Sequence, residues 1–329
     1  MHSQAGGGSA VTTQTVTQSI KHGRKITGAS AVLLPFNEDD SIDFDSLGAN
    51  LKRTFDVGIA PAVNMDTGYA NLITPDEKRQ VLSLACEVGA GRRFIAGAYI
   101  EGQDGDVNDL YASAVEEITS YDAVPIIFQS SKLKALTDAE KIKVFASIGE
   151  RTAEFLAFEL GEMFLPFGEI YSLETMRELI QIPQMTGAKH SSLDRVLELQ
   201  RLELRDEIRP EFKVYTGNDL AVDLVMYGSD YLLGLSAFSP EAFALRDRLW
   251  EECDARFYAL NDLIQYLGFL AFRPPVPTYK HTCAQFLEIR GRIKTNRTHP
   301  RAGKRPESDI EILRDISDRL DQMMGEIEQ

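Results

Sequence analysis

The chain has 329 residues, 43% of them hydrophobic, and carries 50 acidic against 35 basic residues, for a formal net charge of −15. This hydrophobic content argues against a disordered chain, and the negative charge argues against a nucleic-acid or anionic-membrane partner, because both select a basic surface. Three widely spaced cysteines, Cys86, Cys253 and Cys283, predict reduced thiols in a cytoplasmic protein rather than a disulfide framework.

Residues 1–24 are rich in Gly, Ser, Thr and Gln and lack the apolar core of a signal peptide. We expect a flexible N-terminal lead-in there. No uninterrupted apolar run in the sequence approaches the length of a membrane span, so no membrane partner is expected. A small-molecule substrate is the partner that these exclusions leave.

From residue 25 onward, short β-rich runs alternate with amphipathic stretches. The predicted strands are 26–34, 59–64, 93–99, 123–128, 155–160, 184–189, 213–216 and 231–236. The predicted helices are 44–57, one that opens at 74–77, 108–120, 138–152, 173–181, 193–204, 219–226 and 240–264. The second of these helices has Thr74 at the N-cap position, Pro75 at the first helical position and Glu77 three residues after the cap.

Eight strand–helix units with short connections predict parallel strands joined by right-handed crossovers, and eight such units can close into a barrel. We therefore predict an α/β fold, a (β/α)8 TIM barrel over residues 25–265. Residues 266–329 are predicted to form a C-terminal helical extension, with helices at 276–289 and 308–326 and a polar loop at 294–306 between them.

Lys189 is the strongest candidate for chemistry, because the active site of such a barrel lies at the carboxyl ends of the strands. It ends the largely apolar sixth strand. A lysine at the mouth of an apolar barrel loses solvation, which lowers its pKa and leaves more free amine to attack a carbonyl group. The alternative interpretation is a strand-end lysine that simply reaches solvent.

Several segments, in unbroken order over roughly residues 25–300, carry a family resemblance. They are 30–36, 40–43, 57–59, 66–68, 72–78, 95–97, 187–192 (GAKHSS) and 216–219 (TGND). Their order and spacing resemble those of the dihydrodipicolinate synthase / N-acetylneuraminate lyase family. Enzymes of this family condense or cleave 2-keto acids such as pyruvate, or dehydrate sugar acids, through a lysine imine. The resemblance implies that Lys189 is the imine lysine, that no metal ion or organic cofactor is used, and that the chain forms a homodimer or homotetramer.

Three departures from the family pattern fall on one site. Phe158 occupies the place of the strand-five tyrosine that relays protons, and it has no hydroxyl. The paired-threonine motif that holds the keto-acid carboxylate keeps only Thr67, next to Asp66 and Gly68. The segment after strand four, which usually carries a second tyrosine, ends here at Ser131. Asp66 could replace the tyrosine as general acid or base, or it could be a turn residue that bonds its own backbone.

Strand alternation separates two further polar residues from the imine. If Phe158 faces the barrel interior, its neighbour Glu159 faces the helices and is expected to be a structural carboxylate. His190 directly follows Lys189 and is likewise expected to point away from the imine.

We thus expect a lyase, an aldolase or dehydratase, that acts on a small 2-keto acid or sugar-derived carbonyl compound through a Schiff base with Lys189. Asp66 is the expected proton carrier. The residues expected to bind the substrate are Thr67, Gly68, Phe158 and Ser131. The alternative is a catalytically silent barrel that binds a small ligand without turnover. The missing tyrosine favours this alternative, and the retained lysine opposes it.

Overall fold

A computed structural model describes residues 19–328. Residues 1–18 of the predicted lead-in therefore lie outside the described residues. Eight parallel strands close into a barrel in chain order, which confirms the predicted (β/α)8 fold. The strands are β1 (Gly28–Ala31), β2 (Ala60–Val63), β3 (Ile95–Ala98), β4 (Val124–Ile127), β5 (Phe155–Leu160), β6 (Met185–Ser191), β7 (Lys213–Thr216) and β8 (Asp230–Leu233).

Helices surround the barrel and continue past it at the C-terminus. They are α1 (Phe44–Asp56), α2 (Pro75–Gly89), α3 (Val107–Thr119), α4 (Ser131–Lys134), α5 (Asp138–Gly149), α6 (Leu173–Ile180), α7 (Arg195–Ile208), α8 (Pro240–Glu251), α9 (Arg256–Ala271), α10 (Tyr279–Ile289) and α11 (Asp309–Ile327). The N-terminus of α2 confirms the predicted capping box, in which the Thr74 side chain and the Glu77 side chain each accept a backbone hydrogen bond from the other residue.

Two hydrophobic layers follow from the alternation of side chains along the strands. One contains the inward-facing strand residues of the barrel, such as Ala62, Ile95, Ile126 and Leu156. The other packs the outward strand faces against the helices. The inner layer ends in larger aromatic side chains at the carboxyl ends of the strands, among them Phe128.

Several predicted elements differ from the structure. The predicted helix 240–264 is two helices, α8 and α9, because the chain turns at Cys253, whose φ is 56°. The predicted helix 219–226 is a 3-10 helix, Val222–Tyr227. Strand β6 continues to Ser191, two residues past the predicted end.

The predicted boundary between barrel and C-terminal extension, at residue 265, falls within α9. A 3-10 turn, Val276–Thr278, leads directly into α10. Among the residues that the structure describes, no helix has both the length and the apolar character that crossing a bilayer requires.

Candidate active site

A pocket lies at the carboxyl ends of the strands, and the empty space in it and at its open mouth amounts to about 810 Å³. Its walls come from strand ends, from the loop after β5 and from the start of the C-terminal extension. The polar residues that line it are Asp66, Thr67, Asn71, Tyr99, Lys189, Ser191, Asp219 and Tyr279. This is the position at which barrels of this type hold their active sites.

Lys189 lies on β6 directly opposite Phe158 of β5, and both side chains line the pocket. The Lys189 Nζ atom lies 4.5 Å from the centre of the Phe158 ring and makes no hydrogen bond to a described residue. Burial in this apolar environment lowers the pKa of Lys189 to about 8, although the negative charges of Asp219 and Asp66 oppose the shift. A much larger share of the amine is therefore unprotonated at neutral pH than for an exposed lysine.

Gly217, after β7, leaves the space that the lysine side chain occupies. A Cβ atom at this position would lie 2.7 Å from the Lys189 Cε atom and would overlap the Ser191 hydroxyl. The glycine of the TGND segment thus has a packing role, since it lets β7 and β6 approach closely at the lysine.

Asp66 lies in the wall of the same pocket, in a 3-10 turn after β2, and 53% of its side-chain surface is exposed to the open pocket. Its Oδ1 atom accepts a hydrogen bond from the Lys280 ammonium at 2.9 Å, and its Oδ2 atom accepts one from the Tyr279 hydroxyl at 3.1 Å. Desolvation raises the pKa of Asp66, but the charge and hydrogen bond of Lys280 outweigh it, and the net pKa is lowered. Asp66 is therefore an ionised, paired carboxylate.

Tyr279 joins the barrel mouth to the extension. Besides its bond to Asp66, its hydroxyl lies 2.7 Å from the Thr67 hydroxyl. Gly234, after β8, makes room for the tyrosine, because a Cβ there would lie 2.9 Å from the Tyr279 Cε2 atom. The Tyr279 side chain is buried, and burial together with the Asp66 charge raises its pKa well above the usual value. The phenol thus stays protonated, and can donate a hydrogen bond, at neutral pH.

Asp219 is a second carboxyl group in the pocket. Its Oδ1 atom accepts a hydrogen bond from the Leu235 backbone amide at 2.7 Å. Burial raises the pKa of Asp219 to about 7, even though this amide and the Lys189 charge act in the opposite direction. A carboxyl group with such a pKa can both give and take a proton near neutral pH.

Four of the predicted site residues, Lys189, Asp66, Thr67 and Phe158, line this one pocket. The fifth, Gly68, lies beside them in the 3-10 turn without lining it. Ser131 lies outside the pocket, because it begins the short helix α4 and is exposed there. Its backbone amide and hydroxyl both bond the Glu101 carboxylate instead.

Glu159 and His190 lie on the outer face of the barrel, as alternation predicts. The His190 Nδ1 atom is 2.8 Å from the Glu159 Oε2 atom, and Arg201 donates to both oxygens of the same carboxylate. Glu159 and His190 are almost fully buried, so this group is a structural link between β5, β6 and α7. No cluster of metal-ligating side chains occurs among the described residues.

The sequence prediction missed Asp219, Tyr279 and Lys280 as site residues. Asp219 had a signal, because it follows β7 directly within the TGND segment. No local sequence pattern pointed to Tyr279 or Lys280 as site residues. They reach the pocket only because the extension folds back over the carboxyl ends of the strands.

No family model matches the chain. Three curated relatives align with it. A 4-hydroxy-tetrahydrodipicolinate synthase from Kosmotoga olearia is 26% identical, over 63% of this chain and 69% of the relative. A probable 5-dehydro-4-deoxyglucarate dehydratase 2 from Streptomyces avermitilis is 29% identical, over 81% and 78% respectively. An N-acetylneuraminate lyase from Rhizobium meliloti is 26% identical, over 58% and 60%.

Solved structures match over nearly the whole chain. Dihydrodipicolinate synthase from Thermotoga maritima superimposes with a TM-score of 0.77 at 18% identity, covering 90% of this chain and 99% of that one. A dihydrodipicolinic acid synthase family protein from E. coli K12, in complex with pyruvate, has a TM-score of 0.75 at 14% identity, covering 90% and 98%. At these identities the likeness shows the shared barrel fold.

Proposed function

The chain is a divergent member of the dihydrodipicolinate synthase / N-acetylneuraminate lyase family, a lyase by its relatives, and from this premise we propose that Lys189 forms a Schiff base with its substrate. The substrate is a small 2-keto acid or a sugar-derived carbonyl compound, and the reaction is that of an aldolase or a dehydratase. The observation that carries the proposal is the Lys189 amine, held without a hydrogen-bond partner among described residues in an apolar pocket that lowers its pKa to about 8.

The first step joins the amine to the carbonyl group. The Lys189 nitrogen attacks the carbonyl carbon and loses one proton, and the carbonyl oxygen takes one, to give a neutral carbinolamine. A further proton on that oxygen lets it leave as water, which leaves an iminium ion. We assign these proton transfers to Asp219, because it lines the same pocket as Lys189 and has a pKa of about 7.

The iminium ion withdraws electrons from the adjacent carbon. A carbon–carbon bond at that carbon can then break, or a proton can leave it before a hydroxyl group departs as water, and in both cases an enamine is the intermediate. These two outcomes correspond to an aldolase and a dehydratase. The chemistry uses the lysine alone as its electron sink and requires neither a metal ion nor an organic cofactor.

A hydroxyl group is needed to move protons at the enamine, and Phe158 cannot supply one. We propose that Tyr279 does so from the C-terminal extension, with Thr67 as its hydrogen-bond partner. Asp66, for which we expected the role of proton carrier, would act through Tyr279 as the acceptor of its hydrogen bond. This replacement hydroxyl favours turnover over the silent, ligand-binding alternative.

The test is the intact mass of the protein after incubation with pyruvate and borohydride, which reduces an imine to a stable amine. We expect an adduct on the wild type that peptide mapping assigns to Lys189. It should be absent from Lys189→Ala and unchanged in Lys143→Ala, which removes an exposed lysine of α5. If neither pyruvate nor larger 2-keto acids leave an adduct on the wild type, the proposal fails and the ligand-binding alternative takes its place.

The homodimer or homotetramer that the family resemblance implies stays a prediction.

A further inference from the structure

We infer that the second group on the reacting carbonyl of the substrate, the one opposite the carboxylate of a 2-keto acid, is apolar and uncharged, an alkyl chain or an aromatic ring. This inference rests on the proposed function, because it concerns the same pocket. It names the substrate class within the broader set of carbonyl compounds that Lys189 chemistry permits. Four features of the pocket support it: its charges, its polar side chains, its aromatic walls and the loop after β5 that lines it.

The charges leave no group to receive a second anion. Among the described residues that line the pocket, Lys189 is the single cation, and the charge of its iminium ion is balanced by the carboxylate next to the reacting carbonyl of a 2-keto acid. Lys280, at the pocket wall, already pairs with Asp66 at 2.9 Å. A distal carboxylate or phosphate would add negative charge to a pocket that already holds Asp66 and Asp219, with no free cation among the described lining residues, which is unfavourable.

The polar side chains also offer little to a chain of hydroxyl groups. The Thr67 hydroxyl is bonded to Tyr279, and the Asp219 carboxylate to a backbone amide. Asn71 and the Tyr99 hydroxyl have no hydrogen bond to a described residue, and the Ser191 hydroxyl has one long bond, 3.5 Å to the Gly217 carbonyl oxygen. A sugar acid with several hydroxyl groups would find few uncharged partners here, and polar groups that stay unpaired on burial oppose binding.

The walls beyond the amine are aromatic. The rings of Phe128 and Phe158 meet edge to face with centroids 5.1 Å apart, and the Tyr99 ring meets Phe128 in the same way at 5.6 Å. Phe272, from the end of α9, also contributes to the lining. Such surfaces gain most from contact with an apolar or aromatic group.

The loop of residues 161–169, after β5, adds apolar side chains where a substrate chain would extend. Phe164 and Leu165 of this loop line the pocket, whereas Met163 beside them is 68% exposed and does not. Lys134 holds the loop through hydrogen bonds to the carbonyl oxygens of Pro166 and Gly168, at 3.1 and 3.3 Å. The apolar side chains are therefore presented by a loop that is anchored to α4.

The experiment measures borohydride trapping on Lys189 with four 2-keto acids that share the ketone and the carboxylate and differ in the attached group. Phenylpyruvate and 2-ketohexanoate carry apolar groups, 2-ketoglutarate carries an anion and 2-ketogluconate carries hydroxyl groups. We expect half-maximal trapping with the two apolar compounds at concentrations at least about 10-fold lower than with the two polar compounds. In Phe164→Ser this preference should shrink, and in Met163→Ser it should remain.

The outcomes separate this inference from the function on which it rests. Equal trapping, stronger trapping by the polar compounds, or trapping by pyruvate alone would overturn the inference and leave the Schiff-base function intact. A lack of trapping with pyruvate and with all four compounds would overturn the proposed function itself.

Discussion

The hydroxyl of Tyr279 lies 2.7 Å from that of Thr67, although 212 positions separate the two residues in the chain. Thr67 belongs to the turn after β2, and Tyr279 begins α10 in the C-terminal extension. The contact brings a phenol hydroxyl to the pocket. Phe158, the β5 residue opposite Lys189, has no hydroxyl. The extension is therefore part of the site rather than an appendage to the barrel.

Tyr279→Phe should slow proton transfer without preventing imine formation. General acid–base groups contribute on the order of 10²–10⁴-fold to such steps. We expect exchange of the pyruvate methyl protons with deuterated solvent, followed by NMR, to fall by about 10²-fold, while borohydride trapping on Lys189 stays at the wild-type level. This readout requires no knowledge of the second substrate or leaving group.

A rescue variant distinguishes proton transfer from packing. Adding Phe158→Tyr to Tyr279→Phe returns a hydroxyl to the ring that lies 4.5 Å from the Lys189 amine, and we expect part of the exchange rate to return. Tyr258→Phe, at an exposed position on α9, serves as the matched control and should exchange normally. Equal loss of trapping and exchange in Tyr279→Phe would instead assign the tyrosine a structural role.

The pH dependence of trapping should report the Lys189 amine. Since burial lowers its pKa to about 8, the initial rate of imine formation should rise with pH and level off above that value. Asp219→Asn removes a negative charge that raises the Lys189 pKa, so the midpoint should move to lower pH. The plateau rate should also fall if Asp219 carries the protons. A midpoint that stays in place or moves upward would show that the two groups do not interact as described.

The barrel and its lysine were predictable because their signals are local. Periodicity located all eight strands, and the position of Lys189 at the end of an apolar strand directed it to the mouth of the barrel. Alternation correctly separated Phe158 and Lys189 from Glu159 and His190. Tyr279 and Lys280 were not predictable in this way, because their place depends on how a C-terminal segment packs across the barrel. The pairing of Lys280 with Asp66, which fixes the charge of that carboxylate, was hidden for the same reason.

Gly217→Ala should disable imine formation while preserving the barrel. The added methyl group would lie 2.7 Å from the Lys189 Cε atom and would displace the lysine side chain. A displacement of about 1 Å can cost on the order of 10²-fold in rate, and we expect a loss of this size in trapping with pyruvate. Gly325→Ala, on α11, meets no atom within 4 Å and is the matched control. Normal trapping in Gly217→Ala would show that the lysine does not need this space.

Glu159 should stabilise the fold in a pH-dependent manner. The buried carboxylate contacts His190 and accepts hydrogen bonds from Arg201 and from the Tyr171 backbone amide. Burial raises its pKa, but the charges and hydrogen bonds of His190 and Arg201 prevail and lower it to about 2, against 4.5 for the free side chain. Because the folded-state pKa is the lower one, the contribution is complete above about pH 4.5 and is lost as the pH falls towards 2.

Glu159→Gln removes the charge and leaves Arg201 buried without its counter-ion. We expect the free energy of unfolding at pH 7 to fall by about 3–5 kcal/mol, measured by urea denaturation. The difference from the wild type should shrink as the pH is lowered below about 4.5, because the Glu159 carboxylate of the unfolded wild type then takes up a proton, while the folded one stays ionised until the pH nears 2. Glu150→Gln, at an exposed position after α5, should unfold like the wild type at every pH. A stability difference that does not change with pH would mean that the loss comes from packing rather than from the charge of Glu159.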